Sequence, residues 1–286
     1  MNNILITGAN SFVGTNVAEW LLRSPEEFHV DTVDTISDEW KHADFNKYDT
    51  VFHVAGIAHV APKPEMAPLY YRVNCDLAVE VARMAKDRGV RRFIYMSSMI
   101  VYGSSKSLKG VTIDSDTEPV PNDFYGDSKL RAEKYLKELE SEDFKLCILR
   151  PPMIYGRNNK GNLPRLARLA SKIPVFPARH NKRSMLYVDN LAEFVKQIIL
   201  RDMSGTFFPQ NSEYVDTVEL VKFFAKRSNH RILVTPLLNP LVTAGAIVLK
   251  PVSKMFADYC YDQSLSQYDF DYQVADFEES LQSVDV

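Results

Sequence analysis

Tyr125 and Lys129 lie four positions apart in Tyr125-Gly126-Asp127-Ser128-Lys129. On a helix that spacing puts both side chains on one face. An ammonium beside a phenol stabilises phenolate and lowers the usual tyrosine pKa of ~10. Such a tyrosine can take a proton from a substrate hydroxyl near neutral pH and return it. Ser98 stands 27 residues before Tyr125, in Ser97-Ser98-Met99-Ile100 just after an apolar run. Its hydroxyl could bond the same substrate oxygen. A Tyr-x-x-x-Lys pair alone is common, so the weight rests on serine, tyrosine and lysine occurring in this order on suitable elements.

A second group would hold phosphate. Thr7-Gly8-Ala9-Asn10-Ser11-Phe12-Val13-Gly14 follows the apolar run Ile4-Leu5-Ile6. Gly8 permits a tight turn, and Gly14 lets a following helix pack close to the strand. The N–H groups at that helix start, near Asn10, Ser11, Phe12 and Val13, can face a pyrophosphate. Ser11 departs from the three-glycine fingerprint, which has glycine there. Its side chain is small and can hydrogen-bond. Asp34, 26 residues past Gly8, ends the next apolar run. A carboxylate there accepts both ribose hydroxyls and repels a 2′-phosphate, which favours NAD over NADP. Asp31 is the competing carboxylate.

These residues need a frame. Apolar runs at 4–6, 28–33, 50–55, 93–96 and 146–149 read as buried strands. Helical spacing links them at 13–21, 70–87 and 127–142. The alternation predicts an α/β fold, a Rossmann-type doubly wound parallel sheet with a smaller mixed α/β lobe. Residues 1–156 are expected to form the nucleotide-binding domain, completed by about 187–210. Residues 157–186 and 211–286 would form the substrate lobe. Helices are expected at 163–170, 190–200 and 215–228, the last capped by Asp216 or Thr217. The span from Asp34 to Asp49 is too short for a full strand and helix.

Composition narrows the classes. The 286 residues carry 34 Lys and Arg against 37 Asp and Glu, a formal net charge of -3. That balance gives no basic footprint for nucleic acid. Three scattered cysteines, Cys75, Cys147 and Cys260, are not a disulfide framework and suggest a reducing compartment. The six histidines show no metal-ligand spacing, so no metal site is expected. His59 and His180 are the two that could approach a cleft. The start lacks a signal-peptide pattern, and the apolar stretch Pro236–Leu249 is short of the ~20 residues that span a bilayer. A cytoplasmic protein without a transmembrane segment is expected.

Taken together, the chain resembles the extended short-chain dehydrogenase/reductases of the NAD-dependent epimerase/dehydratase family. The likeness rests on the Thr7–Gly14 turn, His53-Val54-Ala55-Gly56, Ser97-Ser98 through Val101-Tyr102-Gly103, and Tyr125 through Lys129. Leu149-Arg150-Pro151-Pro152-Met153-Ile154-Tyr155-Gly156 and Arg183-Ser184-Met185-Leu186-Tyr187-Val188-Asp189 extend it. The resemblance implies Tyr125 as acid/base, Lys129 on the nicotinamide ribose and Ser98 assisting the proton transfer. It implies that Asp44 and Phe45 contact adenine, and that Val54, Ala55, Gly56 and Pro151 line the NAD. Asn74 would lie near the active-site floor. Met153, Asn162 and Arg183 would meet the substrate, with Arg183 gripping its diphosphate. Met153 departs from the asparagine found in many 4-epimerases.

The reaction implied is 4-epimerisation of a UDP-hexose or UDP-N-acetylhexosamine through a transient 4-keto sugar. Reduction of a UDP-4-keto-6-deoxysugar with NAD(P)H uses the same residues and is the alternative. A non-catalytic NAD-binding protein is the remaining one. Dehydration needs an acidic pair where Met99 and Ile100 stand. Relatives are often homodimers through a helix pair. Pro236–Leu249 could instead help the chain approach a lipid-linked sugar.

Overall fold

Alternation within each strand explains the sheet. In the computed structural model, which describes residues 1–58, 63–104, 107–159 and 161–284, Ile4 and Ile6 face one core while Leu5 faces another. Ile94 and Cys147 join the first, whereas Val51, Phe93 and Ile148 join the second. Both faces are therefore buried, as a parallel sheet requires.

Six strands form that sheet: β1 (Asn2–Thr7), β2 (Phe28–Val33), β3 (Thr50–His53), β4 (Arg92–Met96), β5 (Lys145–Leu149) and β6 (Gly205–Phe207). Their order is β6-β5-β4-β3-β1-β2, and every pairing is parallel. On one face pack α1 (Phe12–Leu21) and the helix Val188–Leu200. On the other pack α2 (Leu77–Asp87) and α3 (Phe124–Lys137). The short span after β2 contributes only the 3-10 turns Asp38–His42 and Phe45–Lys47. The sheet consequently ends at β2.

Register brings the carboxyl ends of the strands to one edge. Thr7 pairs with both Val33 and His53, and Met96 pairs with Leu149. The Gly8 turn, Val54, Ser97 and Arg150 therefore emerge side by side. Above this edge, residues from 153 onward build a separate core around Tyr155, Phe176, Phe224 and Phe256. Short parallel pairs brace it: Met153–Tyr155 with Met185–Tyr187, and Val175–Pro177 with Leu233–Thr235. The helix expected at 215–228 runs over Thr217–Arg227, and Asp216 caps it by accepting from Val218 N–H and Glu219 N–H. Cys75, Cys147 and Cys260 are free and buried.

Candidate active site

Between the sheet edge and the upper core lies a cleft of about 700 Å³. Asn10, Ser11, Phe12, Val13, Val54 and Gly56 line it from the β1 and β3 ends. Ser98, Tyr125, Lys129 and Pro151 line it from the β4, α3 and β5 sides. Met153, Asn162 and Arg183 close it from above. A second hollow of about 830 Å³ opens near the amino ends of the strands, at Asn2, Asp49, Arg91 and Lys145. It contains none of the predicted site residues.

The turn after β1 is built by close contacts. Gly8 has φ +100°, and a Cβ there would meet Ala55 N at 2.8 Å. Ser11 caps α1, its Oγ accepting from Gly14 N–H at 3.0 Å. The hydroxyl that departs from the glycine fingerprint thus satisfies one first-turn amide. The Phe12 and Val13 amides, one residue ahead, have no intrahelical acceptor and lie on the cleft.

The catalytic candidates sit on α3 and on the loop after β4. Asp123 caps α3 by accepting from Gly126 N–H. The helix starts at Phe124, so Tyr125 lies in its first turn. Lys129 is buried, donates to Met96 O at 2.8 Å and lies 4.8 Å from the Tyr95 ring centre. Burial lowers its pKa to about 8, with Glu133 opposing. Burial also pushes Tyr125 up to about 12, while a hydrogen bond with Ser98 opposes that rise. The depression of the phenol expected from Lys129 is not seen, because that ammonium is engaged by the Met96 carbonyl. Beneath this group, buried Glu133 accepts from Ser97 Oγ and pairs with Arg150. The pair fixes the loop that carries Ser98.

Other predicted residues lie elsewhere. Asn74 is fully buried, and its amide is spent on Ile57 N–H (2.8 Å), Ile57 O (3.2 Å) and Ser128 Oγ (3.2 Å). It holds the loop after β3 and lies off the cleft lining. Phe45 is a core residue, packed edge-on to Trp40. Asp44 is exposed and bonds Asn46 and Lys47. Ala55 is buried under Gly8. Asp34 follows β2 directly, exposed, with Oδ1 accepting from Ile36 N–H. Its competitor Asp31 is engaged by Tyr48 and His29. His180 pairs with Asp216 away from the cleft lining. His59 lies outside the described residues.

Arg183 has the most telling surroundings. Burial lowers its pKa, and among the described residues it forms no ion pair with a carboxylate. Among the described residues its guanidinium donates to Lys254 O. A half-buried guanidinium with no acid beside it among the described residues is a strong site for an incoming anion. Arg157 and Tyr259 also line the cleft and escaped the sequence reading. Arg157 carries a signal, being a cation directly after Tyr155-Gly156. Tyr259 carries none, because long-range pairings bring it there, of Tyr259–Tyr261 with Val111–Ile113 and of Tyr259 with Arg183.

The cleft fits a dinucleotide by its own geometry. A Cβ on Gly56 would sit 3.2 Å from Lys129 Nζ, and one on Gly14 would sit 2.7 Å from Ser11 Oγ. A side chain at Gly56, which lines the cleft, would crowd Lys129 and Asn74, whereas Gly14 lies under the turn, where a Cβ would also strike Val54 and Gly8 O.

Comparison with known proteins gives the family. The family described as "NAD dependent epimerase/dehydratase family" matches residues 4–207. A UDP-glucose 4-epimerase of Vibrio cholerae is 32% identical over 246 residues, covering 78% of this chain and 75% of that protein. The N-acetyl-alpha-D-glucosaminyl-diphospho-ditrans,octacis-undecaprenol 4-epimerase of Escherichia coli is 28% identical over 77% of this chain and 69% of that protein. Among solved structures, a Thermus thermophilus UDP-glucose 4-epimerase complex with NAD superposes with a TM-score of 0.76 at 20% identity, over 99% of this chain and 97% of that one. With the match spanning most of its length, the chain belongs to the NAD-dependent epimerase/dehydratase family.

Proposed function

We propose that this chain is a nucleotide-sugar 4-epimerase acting on a UDP-hexose or UDP-N-acetylhexosamine, with NAD as cofactor. One observation carries the reading: Ser98, Tyr125, Lys129, the α1 amides and the acid-free Arg183 all face one cleft. Residues 1–156 with 187–210 would hold the nucleotide, and 157–186 with 211–286 the sugar diphosphate. The Phe12 and Val13 amides would receive the pyrophosphate, Asp34 the adenosine ribose and Lys129 the nicotinamide ribose. Bound NAD supplies a reversible acceptor for the hydrogen on the sugar carbon.

The chain's own residues handle the proton. Tyr125 Oη takes it from the sugar hydroxyl and later returns it. Ser98 bonds the same oxygen and fixes its position. Lys129, released from Met96 O toward the cleft, would bring down a phenol that burial has raised to about 12. Arg183 anchors the diphosphate, leaving the sugar free to present either face. Met99 and Ile100 line the cleft without an acid or base, so elimination of water has no proton donor there.

The test uses purified protein with UDP-glucose or UDP-N-acetylglucosamine, no added cofactor, and NMR of the anomeric protons. The 4-epimer should accumulate. Turnover that requires a 4-keto sugar and consumes reduced nicotinamide one for one would instead make the chain a reductase. Tyr125→Phe should lower kcat about 100- to 10,000-fold and leave bound NAD in place. Full activity in that variant would displace Tyr125 from the acid/base role.

A further inference from the structure

One surface remains unused by the cleft. From Pro236 to Leu249 no residue is charged. The helix Asn239–Val248 seats Val242 and Ala246 inward. Its other side is bare: Leu237 and Ile247 are each 83% exposed, Val248 79% and Leu241 69%. Leu237, Leu241, Ala244 and Val248 follow helical spacing and form one stripe. A helix apolar on both sides ordinarily meets a second apolar medium.

The charge around the stripe identifies that medium. Between Leu220 and Ala257 there are six Lys and Arg and no Asp or Glu. Between Arg157 and Val188 there are eight Lys and Arg and again no acid. These 14 cations belong to a chain of net charge -3, so the rest carries 20 Lys and Arg against 37 acids, or -17. The fold joins the two segments. Val175–Pro177 pairs with Leu233–Thr235, Asn239 Nδ2 donates to Ala178 O, and Asn181 Nδ2 donates to Met255 O and Ala257 O. Asp216 and Asp258 touch this region at His180 and Lys182, Glu219 pairs with Lys222, and Arg157 and Arg183 line the cleft, which leaves eleven of the 14 cations for the surround.

A second copy placed symmetrically on the stripe would oppose cation to cation. An anionic lipid surface takes both the apolar stripe and its basic surround. Among the described residues no helix is long and apolar enough to cross a membrane, so the contact is to the surface. We propose that this face docks on an anionic lipid bilayer, with Leu237, Leu241 and Val248 entering the boundary between headgroups and acyl chains. Arg183 lines the cleft and bonds Lys254 O beside the stripe. The docked chain would thereby offer its cleft to a diphosphosugar carried on a lipid, which rests on the proposed epimerase function.

The test is co-sedimentation of the full chain with vesicles of phosphatidylglycerol and phosphatidylethanolamine in equal parts, against phosphatidylcholine alone. The protein should pellet with the anionic vesicles, and less so as salt rises. Leu241→Ser with Val248→Ser should cut the bound fraction at least about tenfold at an unchanged melting temperature. Both side chains are exposed, whereas Val242 is core and unsuitable for substitution. Absence of pelleting with anionic vesicles, or equal pelleting of the double variant, overturns the proposal. A self-associated protein that the double variant dissociates, without vesicle binding, also overturns it in favour of a second copy. Turnover of free UDP-sugar is measured in parallel and should be unchanged in the double variant. Pelleting with no turnover of either free UDP-sugar or a lipid-carried diphosphosugar in the vesicles overturns the epimerase reading alone, and turnover without pelleting overturns the docking alone.

Discussion

Lys129 shows how a single buried cation couples chemistry to stability. Its folded pKa of about 8 lies below its ordinary value of 10.5 because burial penalises the charge. Below pH 8 it is protonated in both folded and unfolded chains, and the penalty is present in full. Between pH 8 and 10.5 the unfolded chain binds more protons, so this group's contribution to stability rises with pH. The gap corresponds to about 3 kcal/mol over the whole window. Comparing the pH dependence of unfolding free energy for the ligand-free protein and Lys129→Met should isolate it. The wild type should gain stability relative to the variant between pH 8 and 10, and parallel curves would refute the assignment. The same penalty explains why Lys129 is poised for a ligand. An anionic or hydroxyl-rich partner offers the ammonium more than the Met96 carbonyl does.

At the scale of elements, the entry to α1 rests on two small residues that depend on each other. A Cβ on Gly14 would meet Ser11 Oγ at 2.7 Å and Val54 Cγ2 at 3.1 Å. Gly14→Ala should therefore cost about 1–2 kcal/mol, although alanine is the better helix former by ~1 kcal/mol. Ser11→Gly alone should cost a few tenths of a kcal/mol. Combined, the two should be less damaging than their sum, because the second removes the atom that the first strikes. Strict additivity in denaturant unfolding would show that Ser11 is not the obstacle. This entry was readable in the sequence because turn and helix start lie in one continuous stretch. The parallel strands were equally plain, their apolar runs being separated by helical spacing. What could not be read was orientation. Phe45 sits in a 3-10 turn that aims its ring at Trp40. Asn74 sits in the π-helical turn Arg72–Asp76, which interrupts an otherwise regular period and turns its amide onto Ile57 and Ser128. Periodicity does not encode such a turn. Tyr259 reaches the cleft through long-range pairings, with Val111 and with Arg183.

At the scale of the whole molecule, the upper core and one core of the sheet are tied together by the end of the chain. Tyr268, Phe270 and Tyr272 return from the upper region to surround Phe194 on the helix Val188–Leu200, with Phe194–Tyr268 and Phe194–Tyr272 ring centres each 4.9 Å apart. Tyr268 Oη accepts from Phe208 N–H, and Tyr272 Oη donates to Gln210 O. A few residues later Leu281 and Val284 enter the upper core, where Ser280 Oγ bonds Tyr155 Oη. Opening the upper core would thus pull aromatic rings out of the sheet's own core. Neither part can melt at small cost to the other, and the protein should unfold in one step. Trp20 reports the sheet side, since its Nε1 donates to Glu193 beside Phe194. Near-ultraviolet circular dichroism reports the tyrosines of both cores. The two signals should share a midpoint in urea. Phe194→Ala should move that shared midpoint down by about 3–5 kcal/mol of stability without splitting it. Two separated transitions would mean that the upper region folds on its own and that the aromatic return is a latch. Coincidence would mean that a cleft built from both parts stays assembled for as long as the chain is folded.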